Sequence, residues 1–307
     1  MEFIPAIIGP TASGKTDLAI RLAKKINGEV IGLDSRQIYK DIPIGTAQPT
    51  ASETSSIKHH LIGVKPVTET INAGSYAKLV IKCIEKIKSI NKVPIICGGS
   101  GLYFRAISKG IFDSSRSELE VRGKLELEYE NGGAAKMLKR LIDLDFEYSK
   151  LIHINNKKRL VRALEIYETT GKSPSEHFAN QRKYPIPVPN LFSIYLDWDR
   201  GEIKDNIVKR TSQMLSDGWI EEVKYLLKKH PNIDLHPLDS IGYNQIIYHL
   251  KGETTLKQLA EEINIKTRQF AVKQAKWFKR EEIDLTISMS HMINLDKIIE
   301  KISMSLN

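Results

Sequence analysis

The chain has 307 residues, 41% of them hydrophobic and 27% charged, which is ordinary globular composition, and no run of roughly eighteen apolar residues predicts a membrane span. The formal net charge of +9 and the pI near 9.3 favour a polyanionic partner such as nucleic acid, although solvated lysine-rich helix faces produce the same balance. Cys83 and Cys97 form no CxxC pair, which argues against a disulfide framework or a zinc finger and agrees with a reducing cytosol.

The first hundred residues alternate between short apolar strands and amphipathic helices. A helix is predicted from near Lys15, because Leu18, Leu22 and Ile26 recur on one face, and further helices are predicted over 75–90 and 102–107. Strands are predicted at 3–8, 29–33 and 93–97, with a returning strand at 191–198. This alternation predicts an α/β core with a parallel, doubly wound sheet and helices on both faces, and a GxxxxGKT segment after the first strand makes that core P-loop NTPase-like.

Between residues 114 and 183 the strand pattern stops, and the segment predicts helices separated by NGG, INN and TGKSP. Pro185, Pro187 and Pro189 then favour an extended linker, because proline fixes φ. Helices follow from 201 to about 280, and the segment after 282 carries no informative pattern. The resulting domain prediction is an α/β core, 1–113 and 186–307, interrupted by an all-helical insertion, 114–185.

A phosphate-binding loop lies between the first strand and the first helix. Residues 9–16, GPTASGKT, match GxxxxGK[ST] in full. The glycines let the backbone N–H groups wrap an anion, Lys15 adds a positive charge, and Thr16 offers a hydroxyl to Mg²⁺. Ligands of parallel α/β sheets bind at the carboxyl ends of the strands, so we expect this loop, Asp34 and the loop 98–101 to converge.

The acidic residue that a nucleotide hydrolase needs after a buried strand is missing from the third strand, PIICGGS, and the LDWD segment at 196–199 comes only after the insertion. The best-placed carboxylate is Asp34, at the end of the second strand. The loop is therefore predicted to hold a diphosphate leaving group, with Asp34 as the general base for an attacking nucleophile. A plain turn or N-cap role for Asp34 is the alternative.

Seven blocks of the chain together resemble one enzyme family. In order from residue 9 to residue 280 they are GPTASGKT, DSRQIYKDIPIGTAQP, HHLI, GGSGLYFRA, KRLVRALEIYETTGKSPS, IGY and TRQFAVKQAKWFKR. They resemble the tRNA dimethylallyltransferase (tRNA isopentenyltransferase) family, in its bacterial form.

The resemblance implies the reaction. Dimethylallyl diphosphate binds in the phosphate loop beside Mg²⁺, and N6 of the adenosine on the 3′ side of the anticodon attacks the prenyl carbon, giving N6-dimethylallyladenosine and diphosphate. The implied partners are the anticodon stem-loop of tRNA and the prenyl donor. The implied enzyme is a cytoplasmic monomer that does not bind membranes.

The resemblance also implies residue roles. The catalytic positions match Asp34 and Ser100. Ser100 stands where the family usually has threonine. The diphosphate contacts match Gly9, Thr11, Ala12, Ser13, Gly14, Lys15, Thr16 and Arg210, and Thr16 matches the metal contact. The tRNA contacts match Asp34, Ser35, Arg36, Gln37, Ser100, Arg122, Lys158, Arg159, Arg162, Gly242, Tyr243, Lys273, Gln274 and Trp277. Departures from the family pattern at Gly63, Asn244 and Val272 put individual tRNA contacts in doubt.

Three other functions fit parts of the sequence. A small-molecule kinase shares the phosphate loop, and an adenylate isopentenyltransferase shares the loop and the base, but neither needs a basic helical insertion. An RNA-binding protein with a vestigial nucleotide site is disfavoured by the intact Lys15, Thr16 and Asp34. His59 and His60 lack a third metal ligand at regular spacing, which favours structural roles. Tyr103, Phe104 and Trp277 fit base stacking or, more commonly for helical aromatics, a core.

Overall fold

The computed structural model describes residues 3–110, 118–184, 187–231, 233 and 235–306. The chain forms two compact units: one combines Met1–Ser108 with Pro189–Asn307, and the other is Lys109–Val188. Sequence patterns placed the corresponding boundaries at 113/114 and 185/186; residues 111–117 and 185–186, which include Pro185 of the expected linker, lie outside the described residues.

A six-stranded parallel sheet forms the centre of the first unit. Its strands are β1 (Ile4–Ile8), β2 (Gly28–Gly32), β3 (His59–His60), β4 (Val93–Gly98), β5 (Leu191–Trp198) and β6 (Leu285–Met289). Their order across the sheet is β3-β2-β4-β1-β5-β6, and every pairing is parallel. The prediction of a parallel sheet is confirmed.

The helices in chain order are α1 (Lys15–Ile26), α2 (Ala51–Ser56), α3 (Ala73–Ser89), α4 (Gly101–Ser108), α5 (Leu119–Glu128), α6 (Ala134–Leu144), α7 (Phe146–Ser149), α8 (Lys157–Thr170), α9 (Pro174–Lys183), α10 (Arg200–Ser216), α11 (Trp219–Lys229), α12 (Tyr243–Leu250), α13 (Leu256–Phe278) and α14 (Leu295–Ser305). Among these described helices, none is both long enough and apolar enough to cross a bilayer.

Both faces of the sheet are covered. β1 and β2 are buried along their whole length, which is expected of parallel strands between two helical layers. On one face the core joins α1 and α14 to alternate strand residues such as Val30, Ile95 and Cys97. The intervening residues, Ile31 and Ile96, are equally buried and point to the opposite face, because side chains alternate along a strand.

The second unit is entirely helical where it is described. Helices α5, α6 and α8 share a core that includes Leu125, Met137, Leu141, Leu160 and Leu164. The NGG segment falls in a short π-helical turn, Tyr129–Gly133, where Gly132 has a φ of 82°. α8 ends at Gly171, whose φ of 69° is the left-handed conformation that commonly terminates helices.

Four elements of the first unit escaped sequence prediction. They are α2, the two-residue strand β3, the edge strand β6 and helix α14. β6 pairs with β5 from Ile194–Leu285 to Trp198–Met289, and only Ile287 and Met289 within it are buried. Residues after 282 therefore complete the sheet and its covering layer, since Ile298, Ile299 and Ile302 of α14 join the core.

Candidate active site

The phosphate loop follows β1 and runs directly into α1. Gly14 has a φ of 79° and Ala12 a φ of 62°, so the backbone makes two left-handed turns before the helix begins at Lys15. Gly9 lies against β5, since a Cβ there would lie 3.1 Å from the Leu196 carbonyl oxygen. The amino end of α1 supplies unpaired N–H groups and a positive dipole end to whatever the loop encloses.

Side chains from distant parts of the first unit hold the loop in shape. Trp198 Nε1 donates to the Ser13 carbonyl at 3.0 Å, and Asn206 Nδ2 donates to the Ala12 carbonyl at 3.4 Å. Arg210 Nη2 donates to the Thr11 hydroxyl at 2.8 Å. These anchors lie on or beside β5 and α10, so the loop is set by the returning part of the core as well as by its own sequence.

The cations Lys15 and Arg210 and the carboxylate of Asp34 interact electrostatically at this loop. Lys15 Nζ donates to the Pro10 carbonyl at 2.5 Å and lies 3.3 Å from the Ser13 hydroxyl. The pKa of Lys15 is lowered to about 8, mainly by burial and in part by the nearby Arg210, while Cys97 and Asp34 act in the opposite direction. Burial also lowers the pKa of Arg210, again opposed by Asp34. Desolvated cations of this kind interact strongly with an anion.

Asp34 follows β2 and is oriented by the turn after it. Its Oδ1 accepts hydrogen bonds from the Arg36 and Gln37 backbone N–H groups at 2.8 and 3.4 Å. The turn role considered as an alternative is therefore present, and it fixes the carboxylate that the base role requires. Among the described residues both hydrogen bonds go to Oδ1, which leaves Oδ2 for a substrate.

The 98–101 loop lies against the segment that contains Asp34. The Ser100 backbone N–H donates to the Leu33 carbonyl at 3.4 Å, and the Ser100 hydroxyl accepts from the Ser35 N–H at 3.2 Å. Gly98 has no room for a side chain, because a Cβ would overlap the Leu33 backbone. The phosphate loop, Asp34 and Ser100 thus converge at one edge of the sheet, as their positions after strand ends predict.

The residues that follow Asp34 are mostly engaged within the chain. Gln37 Nε2 donates to the Thr46 and Ala47 carbonyls at 3.1 and 2.8 Å. The side-chain amide of Gln37, an expected tRNA contact, therefore connects residue 37 to residues 46–47 of the same unit. The Arg36 guanidinium lies 2.8 Å from His236 Nδ1 and remains partly exposed. Ser35 contacts Ser100 through its backbone N–H.

Glu222 is a buried carboxylate that sequence patterns missed. It accepts hydrogen bonds from the Ile44 and Gly45 N–H groups at 2.7 and 3.0 Å and from the Tyr243 hydroxyl at 2.7 Å. Burial raises the pKa of Glu222, and these three hydrogen bonds partly offset that rise. No local motif marks it, because its partners lie far away in sequence.

Two expected tRNA contacts have a different role in the structure. Tyr243 is 0% exposed and its hydroxyl is bonded to Glu222. Gly242 is also buried, and a Cβ there would overlap the Trp219 indole. Both residues pack inside the unit, and their expected tRNA contacts stay predictions.

Helix α13 borders the site with a buried glutamine, a tryptophan and an exposed lysine. Gln274 is buried and bonds to both loops: its Oε1 accepts from Thr11 N and its Nε2 donates to the Gly99 carbonyl, each at 2.8 Å. Trp277 packs against Gly101, and the Arg105 guanidinium lies 4.5 Å above its ring. Lys273 is exposed.

A basic cavity of about 500 Å³ adjoins Pro10 of the phosphate loop. Tyr195, Trp198, Ile203 and Val272 give it apolar walls. Five cations also line it: Arg200, Arg268, Lys273, Lys276 and Lys279. Lys15, Asp34, Ser100 and Arg210 are not part of its wall, so the cavity is a basic surface next to the loop and not the loop itself.

The expected RNA-binding cations of the second unit differ in availability. Lys158 and Arg159 are exposed in the first turn of α8, and neither forms an ion pair within the described part of the chain. Arg122 Nε lies 2.9 Å from Glu126, and Arg162 Nη1 lies 2.8 Å from the fully buried Glu165. Arg162 therefore neutralises a buried carboxylate.

The two expected core aromatics and the histidine pair have structural roles. Tyr103 and Phe104 are buried, with Phe104 5.9 Å from Phe278 between ring centroids, so they do not present faces to a base. His60 Nε2 lies 2.7 Å from the buried Glu29 carboxylate. In the described ranges no three His, Cys, Asp or Glu side chains are grouped so that they could hold a metal ion.

Comparison with known proteins gives consistent matches. The family model described as IPP transferase matches residues 37–281. The matched range begins just after Asp34. The tRNA dimethylallyltransferase of Acetivibrio thermocellus is 37% identical over 303 residues, 98% of this chain and 96% of that protein. The tRNA dimethylallyltransferase of Thermotoga neapolitana is 38% identical over 275 residues, covering 89% and 88%.

Two solved structures are similar over nearly the whole chain. The tRNA isopentenylpyrophosphate transferase of Bacillus halodurans superposes with a TM-score of 0.72 at 33% identity, covering 100% of this chain and 96% of that one. A eukaryotic dimethylallyltransferase acting on tRNA superposes with a TM-score of 0.85 at 27% identity, covering 99% and 78%. Because the family model matches most of the chain and the curated relatives align over nearly their whole length, this chain belongs to the IPP transferase family, whose curated members include the tRNA dimethylallyltransferases.

Proposed function

We propose that this protein transfers the dimethylallyl group of dimethylallyl diphosphate to N6 of the adenosine 3′-adjacent to the anticodon of tRNA. The products are N6-dimethylallyladenosine in the tRNA and diphosphate. One observation carries the proposal: Lys15 lies in the phosphate loop, Arg210 is bonded to Thr11 of that loop, and the oriented carboxylate of Asp34 interacts electrostatically with both cations. That arrangement suits a leaving diphosphate opposite a nucleophile.

The leaving group develops negative charge as the bond to the prenyl carbon breaks. Lys15, Arg210 and the N–H groups at the start of α1 are placed to stabilise that charge, and their positions are fixed before the reaction by the anchors on the loop. Preorganised donors of this kind commonly contribute several kcal/mol, about 10²–10³ in rate for each one removed.

The acceptor amine is a weak nucleophile, because its lone pair is conjugated with adenine. Asp34 Oδ2 would take the amine proton as the new C–N bond forms, while Oδ1 remains held by the two backbone N–H groups. Ser100 accepts from Ser35 N, which leaves its own hydrogen to donate to the substrate. General-base assistance of this kind contributes about 10²–10⁴ in rate.

Mg²⁺ fits the residues present. Thr16 lies in the first turn of α1, where its hydroxyl is a suitable oxygen ligand, and a bound diphosphate provides further oxygens, as Mg²⁺ in phosphate sites requires. When bound, the ion would neutralise part of the diphosphate charge.

In this proposal each unit offers its own exposed cations to tRNA. In the second unit they are Lys158 and Arg159, at the start of α8. In the first unit they include Lys273 and the other cations of the basic cavity. Contacts with backbone phosphates supply most of the affinity of such surfaces and make binding salt-dependent. Trp277 and Arg36 lie beside the 98–101 loop and the Asp34 turn, where a base would enter.

The proposed enzyme acts as a monomer in the cytoplasm. Both cysteines are free thiols, which agrees with a reducing compartment. Light scattering after size exclusion tests the monomer directly.

A substrate comparison tests the function. The protein is incubated with labelled dimethylallyl diphosphate, Mg²⁺ and one acceptor: an anticodon stem-loop with adenosine at the target position, the same stem-loop with guanosine there, or AMP. Label in the adenosine stem-loop alone is the expected result. Label in AMP would instead indicate an adenylate isopentenyltransferase. ATP is supplied with a small acceptor in a parallel incubation. If the protein consumes the ATP there and transfers no prenyl group, the result would indicate a kinase.

A further inference from the structure

One side chain connects the two halves of the candidate active site. The Gln274 amide lies between the phosphate loop and the 98–101 loop, accepting from Thr11 N with Oε1 and donating to the Gly99 carbonyl with Nε2, both at 2.8 Å. Thr11 belongs to the loop expected to hold the diphosphate, and Gly99 immediately precedes Ser100, which lies beside Asp34. Gln274 thus bridges the donor and acceptor ends of the site.

The surroundings leave this amide one place to lie. Gln274 is 8% exposed, and a Cβ on Gly99 would lie 2.6 Å from Nε2, so the absence of a side chain at residue 99 makes room for it. The same Cβ would lie 3.0 Å from the Gly9 carbonyl oxygen, which brings the two loops into direct proximity at this point. Both polar atoms of the amide are bonded inside the protein, and burial leaves little of the side chain available to RNA.

α13 itself is held firmly at this position. Phe278 is fully buried and contacts Phe104 of α4 and Tyr195 of β5 at centroid distances of 5.9 and 6.0 Å. Arg105 of α4 forms an ion pair with Glu281 just after the helix and stacks over Trp277. The helix therefore serves as a rigid support from which one amide can fix two loops.

We propose that Gln274 is a positioning residue that sets the distance between the diphosphate site in the phosphate loop and the acceptor site formed by Asp34 and Ser100. This role rests on the proposed prenyl transfer. Misplacing reacting groups by about 1 Å costs about 10²-fold in rate, so loss of the bridge lowers turnover more than it lowers binding of either substrate. The expected tRNA contact by Gln274 is replaced by this role.

The test compares two substitutions with a control. Gln274→Met keeps the length of the side chain and removes both hydrogen bonds. Gln274→Glu keeps the acceptor for Thr11 N but turns a carboxylate oxygen toward the Gly99 carbonyl. Gln213→Met is the control, because Gln213 is an exposed helical glutamine on α10 whose amide contacts only Asp217, at 2.7 Å, among the described residues. For each protein, kcat, KM for dimethylallyl diphosphate, the tRNA Kd at several salt concentrations and Tm are measured.

For Gln274→Met we expect kcat to fall about 100-fold, while the tRNA Kd and its salt dependence stay within twofold of the unsubstituted protein. For Gln274→Glu the loss should shrink as pH falls, because a protonated carboxyl group donates to the Gly99 carbonyl again and burial raises the pKa of such a group. The ratio to unsubstituted kcat at each pH isolates this rescue from pH effects that both proteins share. Gln213→Met should match the unsubstituted protein throughout.

Three results overturn the proposal. A weaker tRNA Kd with unchanged kcat would make Gln274 an RNA contact. A lower Tm with unchanged kcat for the folded protein would make it a packing residue only. If the kcat of Gln274→Glu does not recover relative to the unsubstituted protein as pH falls, the bridging role is also rejected. This variant alone decides the test if Gln274→Met does not fold. Failure of the unsubstituted protein to prenylate the stem-loop would reject the proposed function instead.

Discussion

The depressed pKa of Lys15 predicts a pH limit on binding of the prenyl donor. Burial lowers this pKa to about 8, so in the free protein Lys15 is half protonated near that pH. A bound diphosphate favours the charged ammonium and raises the pKa again. Affinity should therefore be full well below pH 8 and fall as pH rises through it.

The magnitude follows from the titration. Each pH unit above about 8 reduces the protonated fraction roughly tenfold, so the Kd should rise up to tenfold per unit, about 1.4 kcal/mol. Near and above pH 8 the ligand contributes little to this change, because the last ionisation of a phosphate group, with a pKa of about 6, is nearly complete there. Titration calorimetry with dimethylallyl diphosphate at fixed Mg²⁺, without tRNA, from pH 6.5 to about 9.5 measures the slope.

Two further observations sharpen the test. Near pH 8, binding should take up about half a proton, which calorimetry detects by comparing buffers of different ionisation enthalpy. Lys15→Arg should remove the inflection, because arginine stays charged throughout this range. An affinity that is flat across pH 7 to about 9.5, with no proton uptake, would refute the assignment of Lys15 as a desolvated diphosphate ligand.

Three other substitutions have defined outcomes. Glu222→Gln should lower the free energy of unfolding by about 1–3 kcal/mol, because an amide cannot accept both backbone N–H bonds and the Tyr243 bond. Since burial raises the pKa of Glu222, the unsubstituted protein should lose stability as pH rises through the folded-state pKa, whereas Glu222→Gln does not titrate there; the same pH dependence of urea unfolding for both proteins would contradict this. Gly101→Ala should reduce stability by about 1–3 kcal/mol, because the new methyl group overlaps the Trp277 ring; the loss should be smaller in a Trp277→Ala background, and equal losses would show that the ring is not the obstacle. Arg159→Ala should weaken tRNA binding and make the salt slope shallower by about one unit with kcat unchanged, whereas the exposed Lys136→Ala should leave both unchanged; an unaltered slope for Arg159→Ala would remove it from the RNA surface.

Local sequence determined the parts of the site that depend on local geometry. The phosphate loop needs left-handed turns and a helix start, and GPTASGKT specifies both within eight residues. Asp34 was identified from its place after a buried strand, and its turn hydrogen bonds are equally local. The parallel sheet followed from strand and helix alternation, which is confirmed.

Long-range contacts determined the rest. β6 is a short edge strand that depends on hydrogen bonds from β5, although the alternating apolar and polar residues of LTISM are a local signal of a half-buried strand. Tyr243 belongs to a family motif, but Trp219 and Glu222 bury it. Gln274 similarly acquires its bridging position only when three distant segments meet. A residue within a motif thus keeps its place in the fold, while its accessibility depends on partners elsewhere in the chain.

The most direct measurement is a crystal structure of the protein with Mg²⁺ and the non-reactive sulfur analogue of dimethylallyl diphosphate. The account predicts diphosphate oxygens contacted by Lys15, Arg210 and the N–H groups of the phosphate loop, with the first prenyl carbon directed toward Asp34 Oδ2 and Ser100. A diphosphate bound elsewhere, or a prenyl chain directed away from Asp34, would contradict it.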